Sequence, residues 1–333
     1  MTDLPPIQTR RLVFRGIQVE ADLPQLLEIN LSSRQADGDQ TQVTLEGLAQ
    51  AFAPSDNFIP SRDVLIAFLA DSPATAVGYT RTGWYSSRPD NRLYYQNTRL
   101  KQAFRGQGLW EEIIEGGEER IRRTALEHAP VAERWFQGWA SNEQLEWTAA
   151  LQNMGYKVVR RFNNMLLKLE NPPQIPLPPG FEVRPVQPEH MHAIWQAQKE
   201  MNEGLFENVA EEWLEEKYPA WLENPEHTPQ FWQVAWAGDQ IAGIVLARYN
   251  AEEYENKSPK HGYTEHVFVR PAWRKRGLAS ALISLSLQAQ KAAGMEEAEL
   301  GVDAENETAA FKIYQDLGYQ TFSVDTWFRK EME

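Results

Sequence analysis

No cysteine occurs in the 333 residues, so disulfides, thiolate metal sites and cysteine nucleophiles are all excluded. Positive charge is scarce: 33 lysines and arginines face 47 aspartates and glutamates, a formal charge of −14. Nonspecific binding to nucleic acid needs a basic footprint, so no nucleic-acid partner is expected. The acidic surface either raises the local concentration of a cationic small molecule or serves solubility alone. No apolar run approaches the roughly 20 residues needed to cross a bilayer, and no membrane partner is expected. The opening MTDLPPIQTRRL lacks the basic-then-apolar order of a signal peptide, which makes the cytoplasm the expected location. Histidines at metal-ligand spacing are missing too, so no catalytic metal is expected.

What is present is a plan used twice. A run of five prolines in Glu170–Gly180, ENPPQIPLPPG, denies helix and sheet and reads as an extended, semi-rigid spacer. It divides the chain into residues 1–169, a linker at 170–180, and residues 181–333. Each half opens with a short strand around an arginine, LVFRGI and FEVRPV, followed by an amphipathic helix. Each continues with a hairpin, a strand running into a glycine turn and long helix, and a closing strand, helix and Gly-Tyr step. Arg15 and Arg184, Arg105 and Arg274, and Gly108 and Gly277 all stand 169 residues apart. Gly155 and Gly318 stand 163 apart, so the second half loses six residues late in the repeat. Landmarks at one offset indicate an internal duplication.

The sharpest local signal is VRPAWRKRGLA at Val269–Ala279. A β-branched strand ends at Val269, Pro271 breaks it, and an apolar helix follows. Gly277 permits unusual dihedrals and a close backbone approach. The free N–H groups of the helix start, with the positive dipole end, form an anion cradle. Arg274, Lys275 and Arg276 add cations where a helix disfavours them. The turn is either a phosphate site or a helix start with a basic first turn, and the misplaced charge favours the former.

Arg274-Lys-Arg-Gly277-Leu-Ala279 matches the pyrophosphate signature Gln/Arg-x-x-Gly-x-Gly/Ala, and Asn306, Ala309-Ala310, Tyr314 and Gly318-Tyr319 follow in order. With these residues the sequence resembles the GNAT superfamily of acetyltransferases, across the whole second half and, in outline, the first. The resemblance implies an α/β (α+β) fold of two tandem GNAT-like domains, each a mixed, mostly antiparallel twisted sheet flanked by helices. It also implies a transferase: an acetyl-CoA-dependent N-acetyltransferase acting by direct attack of a primary amine on a small molecule or peptide. Acetyl-CoA would lie where the sheet splays between the strand bearing Glu265 and that of Gly301–Asp303. The backbone of Val267, Phe268 and Val269 would pair with the pantetheine arm. Arg274, Lys275, Arg276, Gly277, Leu278, Ala279 and Ser280 would hold the pyrophosphate, with Asn306 and Phe311 flanking the arm. A backbone N–H near Val269 would polarise the thioester carbonyl.

Amine acetylation needs a proton acceptor for the amine and a donor for the departing thiolate. Glu265 is the candidate base; its spacing to Arg274 resembles the strand glutamate of diamine-type members. Strand alternation places it on the face of Val267 and Val269, with His266 opposite and serving packing. Tyr314 stands where the family places a tyrosine that donates to, or orients, the sulfur. The acceptor would meet residues 201–227, where Glu203, Glu207 and Glu211 beside Trp213 either receive a cationic amine or form a solvated helix face.

In the first half the same positions hold Gln96, Trp110 and Leu151 in place of Glu265, Ala279 and Tyr314. An amide cannot act as base, an indole crowds the turn, and leucine has no proton to give. Residues 1–169 therefore read as a degenerate, scaffolding domain and 181–333 as the catalytic one. A noncatalytic acyl-CoA-binding or sensor protein is the alternative function, and a ligand-free duplicated scaffold a third. A Gly-x-Gly-x-x-Gly after an N-terminal strand and a Gly-x-Ser-x-Gly are both absent, which disfavours dinucleotide enzymes and α/β-hydrolases.

Overall fold

The computed structural model describes residues 7–39, 43–55, 57–88, 90–202, 213–224, 227–249, 259–304 and 310–333. In chain order the elements of the first half are β1 (Ile7–Gln8), β2 (Leu12–Gly16), α1 (Val19–Ala36), α2 (Leu45–Ala51), α3 (Pro60–Asp63), β3 (Val64–Leu69), β4 (Ser72–Tyr85), β5 (Asn91–Leu100), α4 (Leu109–Ala125), β6 (Glu133–Ser141), α5 (Leu145–Asn153) and β7 (Lys157–Lys168). Those of the second are β8 (Glu182–Val183), α6 (Met191–Asn202), α7 (Tyr218–Leu222), β9 (Gln233–Ala237), β10 (Gln240–Arg248), β11 (His261–Val269), α8 (Leu278–Ala292), β12 (Glu297–Asp303), α9 (Ala310–Asp316) and β13 (Gln320–Glu331).

The chain folds as two compact units, Met1–Arg160 with Asp325–Glu333, and Arg161–Val324. In the first unit β1 to β5 form an antiparallel run, and β5 pairs with β6 in parallel. In the second, β8 to β11 repeat the antiparallel run and β11 pairs with β12 in parallel. Each is the mixed, mostly antiparallel sheet with flanking helices that the resemblance implied. In the first unit one cluster packs Phe14, Ile113, Ile114 and Phe136 beneath α4, and another packs Leu26, Ile29 and Tyr79 beneath α1. The second unit packs Val269, Leu282 and Leu287 beneath α8, and Ile194, Trp236 and Ile244 beneath α6.

The duplication is visible in the backbone. Single turns of 3-10 helix at Gln102–Phe104 and Pro271–Trp273 precede left-handed glycines at Gly108 (φ 70°) and Gly277 (φ 79°), and each glycine caps a long helix. Late in the repeat Gly155 (φ 85°) and Gly318 (φ 100°) answer one another 163 residues apart.

The units do not divide at the proline run. The closing strand of each copy is used in the other unit: β13 pairs with β6, Trp327 opposite Trp139 and Phe328 opposite Gly138, while β7 pairs with β12, Met165 opposite Leu300. Phe328 and Met332 are buried in the first unit's core. The boundaries observed, after Arg160 and after Val324, thus differ from breaks at 169 and 180, because pairing of the terminal strands decides them.

Residues 170–180 are extended but not free. Ser284 on α8, fully buried, donates its hydroxyl to Pro173 O at 2.6 Å and accepts from Ile175 N–H at 3.0 Å. Ile175, Leu177 and Phe181 pack on the core beside α8. Ser284→Ala strands the Ile175 N–H, while Pro173 O keeps its bond from Gln288 Nε2 at 3.3 Å, at a cost of about 1–3 kcal/mol. Denaturant unfolding of the variant should shift by that amount, with faster proteolysis at 170–180; an unchanged curve would refute the strap's role.

Candidate functional site

The turn after β11 has the geometry of an anion cradle. Arg274 is extended, Lys275 is left-handed at φ 61° and Gly277 is left-handed at φ 79°. Lys275 is the one described non-glycine residue with positive φ, a conformation that costs roughly 1–2 kcal/mol for an L-residue. The first bond of α8 runs from Ala281 N–H to Gly277 O at 3.1 Å. The amides of Leu278, Ala279 and Ser280 precede it and lack helical acceptors, at the positive end of the dipole. Arg274 Nε–H donates to Val269 O at 2.9 Å, which aligns its guanidinium along the strand end. None of Arg274, Lys275 and Arg276 forms an ion pair with a described residue.

This turn borders an open seam in the sheet. The parallel ladder of β11 and β12 runs only from His261 opposite Glu297 to Tyr263 opposite Glu299, although both strands continue. Beyond that point lies a cavity of about 540 Å³, lined by Val267, Phe268, Val269, Trp273, Arg274, Lys275, Gly277, Leu278, Ala279, Ser280 and Ile283, with Ala310, Ile313 and Tyr314 from α9. Of the residues singled out in the sequence, Arg276 lies on the turn outside this lining. Phe311 packs partly buried on the adjoining core. Asn306, Glu203, Glu207 and Glu211 lie outside the described residues. Trp273, Ile283 and Ile313 were not singled out; their signal, apolar residues beside a glycine turn, is also that of ordinary core.

Tyr314 is 8% exposed at the cavity wall, 6.0 Å between ring centroids from Tyr319. Burial pushes its phenol up to about 12, so it remains protonated throughout the neutral range. Glu265 is not in this cavity. It lines a second one of about 290 Å³, with His266, Arg248, Gln198, Trp213, Trp221 and Trp232. A β-bulge explains this departure from alternation. Ala247 is opposite Thr264 and Leu246 opposite His266, so Glu265 is the extra residue, and bulges break the two-residue period. Val267 and Val269 pack toward α8, whereas Glu265 and His266 share the other wall. Glu265 Oε1 is ion-paired with Arg248 Nε at 2.6 Å. Burial pushes the His266 imidazole down, against an opposing pull from Glu265.

Residues 191–319 match the acetyltransferase (GNAT) family. The matched residues lie within the second unit. Acetyl-CoA is the cosubstrate of this family. The mycothiol acetyltransferase of Thermobispora bispora is 24% identical over 318 residues, spanning 91% of this chain and all of that one. A GCN5-related N-acetyltransferase from Sphaerobacter thermophilus superposes with a TM-score of 0.73 at 24% identity, over 97% of this chain and 96% of that chain. A tandem GNAT protein from the clavulanic acid biosynthesis pathway superposes at 0.62 and 14% identity, over 96% and 98% of the two chains. Among the described residues no helix is long and apolar enough to cross a membrane.

The first unit repeats the backbone plan of the second with different side chains at the matching positions. Gln96 is buried and donates from Nε2 to Tyr156 Oη at 3.0 Å. Leu151 is core. The indole of Trp110 fills the first turn of α4, 5.2 Å from Trp147 and donating from Nε1 to Glu146 at 3.2 Å. Arg105, the counterpart of Arg274, is drawn away to Asp37 at 2.6 Å and to Ser33 O at 2.9 Å.

Proposed function

We propose that the second unit transfers the acetyl group of acetyl-CoA to a primary amine of a small molecule or peptide by direct attack. The observation that carries this reading is the basic turn, without an ion pair among the described residues, whose first-turn amides lack helical acceptors and which opens onto a mainly apolar cavity at the split of β11 and β12. The turn from Arg274 to Ser280 holds the pyrophosphate, Val267 to Val269 the pantetheine arm, and Phe311, with Asn306, the far side of the arm. The amine lone pair forms a C–N bond with the thioester carbonyl, and the C–S bond breaks. The thiolate sulfur takes a hydrogen bond or proton from Tyr314. Glu265, with the neutral His266 beside it, accepts the proton lost by the amine. The tryptophan-lined cavity around Glu265 suits a cationic acceptor, and the name of the Thermobispora relative makes a mycothiol-related amine the first to test.

The test is thiol release from acetyl-CoA across a panel of amino sugars, polyamines and peptides. Acceptor-dependent release supports transfer; binding of acetyl-CoA with no acceleration by any amine would sink it. In the active pair, Glu265→Gln lowers kcat about tenfold, below the 10²–10⁴ typical of an acid–base group because water can take the proton. The His266 imidazole, kept neutral to more acidic pH by its lowered pKa, gives kcat no limb of its own in the neutral range, and His266→Gln leaves kcat within a few-fold of wild type. Full activity in Glu265→Gln with loss in His266→Gln would move the base to the histidine.

A further inference from the structure

The first unit has a seam of its own. The ladder of β5 and β6 stops at Tyr95 opposite Gln137, and both strands continue past it. The gap holds a cavity of about 350 Å³ within this unit, at the small end of ligand sites. Its chemistry is unlike that of the second unit. Where Phe268 lines the cavity there, Arg99, 169 residues earlier, lines this one.

Arg99 carries a charge that no carboxylate among the described residues pairs with directly, although Asp37 and Asp39 favour it at longer range. Its Nη1 donates to Asn97 Oδ1 at 2.8 Å and Thr98 O at 3.0 Å, while its Nε is buried without a partner. The nearby carboxylates are engaged elsewhere: Asp37 pairs with Arg105 at 2.6 Å and Asp39 with Arg34. Asp325, also on the wall, has another partner. Among the described residues none forms an ion pair with Arg99. Arg99 is half-buried; desolvation without a paired counter-ion is costly for a guanidinium, and it pulls the Arg99 pKa down. Trp139 and Trp327 line the same cavity as an aromatic wall, with ring centroids 6.2 Å apart. Ser141 and Gln144 add polar groups.

We infer that this cavity is a binding site for a small organic carboxylate, the anion received by Arg99 and the organic body laid against Trp139 and Trp327. The planar guanidinium matches a carboxylate in two-point geometry. Trp110 closes the neighbouring turn to a pyrophosphate, so the occupant is not a coenzyme. The site stands apart from transfer in the second unit, and its occupancy reports on a ligand that the reaction does not consume.

The probes are acetate, succinate, phenylacetate and inorganic phosphate, titrated against the full chain by calorimetry and tryptophan fluorescence. A carboxylate binds with a Kd of about 1 mM or tighter, phenylacetate ahead of acetate, and binding persists in Ala279→Trp. Arg99→Met weakens it at least tenfold without altering acetyl-CoA affinity. Trp327→Phe, which keeps the charge and an aromatic ring, weakens phenylacetate more than succinate and guards against misfolding in the first variant. Absence of binding by every carboxylate, preference for phosphate, or unchanged binding in Arg99→Met would overturn the inference.

Discussion

Acetyl-CoA binds Ala279→Trp about 1,000-fold more weakly than wild type, or not at all, a loss of about 4.1 kcal/mol. Ala279 is on the first turn of α8 and lines the cavity beside the basic turn. An indole there repeats what the first unit does at Trp110, 5% exposed and wedged against Trp147. Overpacking of this kind costs roughly 1–3 kcal/mol, and each charged hydrogen bond lost at the displaced pyrophosphate adds about 1.5–3. Calorimetry on both proteins decides it. One equivalent in wild type and none in the variant places the coenzyme at this turn. Equal binding by the two would put it elsewhere, and two equivalents in wild type would show that the first unit still binds coenzyme despite Trp110.

Tyr314→Phe lowers kcat about 100-fold while leaving acetyl-CoA affinity nearly unchanged. With the phenol held near 12, full transfer to a thiolate of conjugate pKa about 8.5 is uphill by roughly 3.5 units, or about 4.8 kcal/mol. In the proposed mechanism the hydroxyl would therefore act as a hydrogen-bond donor while charge develops on sulfur, with the proton moving late. Two signatures follow. The wild-type kcat shows no tyrosine limb below about pH 11, because a raised pKa keeps the acid form to higher pH. The penalty of Tyr314→Phe also shrinks with thioesters of more acidic thiols, which leave unaided. A variant as active as wild type would reduce Tyr314 to a wall of the cavity.

The duplication and the basic turn were legible in the sequence because both are local and positional. A constant spacing between Arg105 and Arg274 needs no tertiary information, and Gly277 amid three cations has few structural uses. Glu265 was misread in orientation because alternation holds only while a ladder is regular; the bulge opposite Leu246 and Ala247 has no residue-type signature. The exchanged strands were equally silent. Lys157–Lys168 and Gln320–Glu331 are both amphipathic strands of the same length, and either could close either unit by composition. Arg99 escaped notice for a related reason: one arginine in a strand reads as exposed, and only the missing counter-ion marks it.

The placement of β13 also sets an order of events during synthesis. Residues 161–324 must be made before the strand that pairs with β6 exists. At roughly 5–20 residues per second that is on the order of ten seconds or more. During this interval β6 has an unpaired edge, and the core beneath it lacks Phe328 and Met332. Such an edge is a template for pairing with another chain. The nascent polypeptide is therefore most exposed to misassembly until Asp325–Glu333 have left the ribosome.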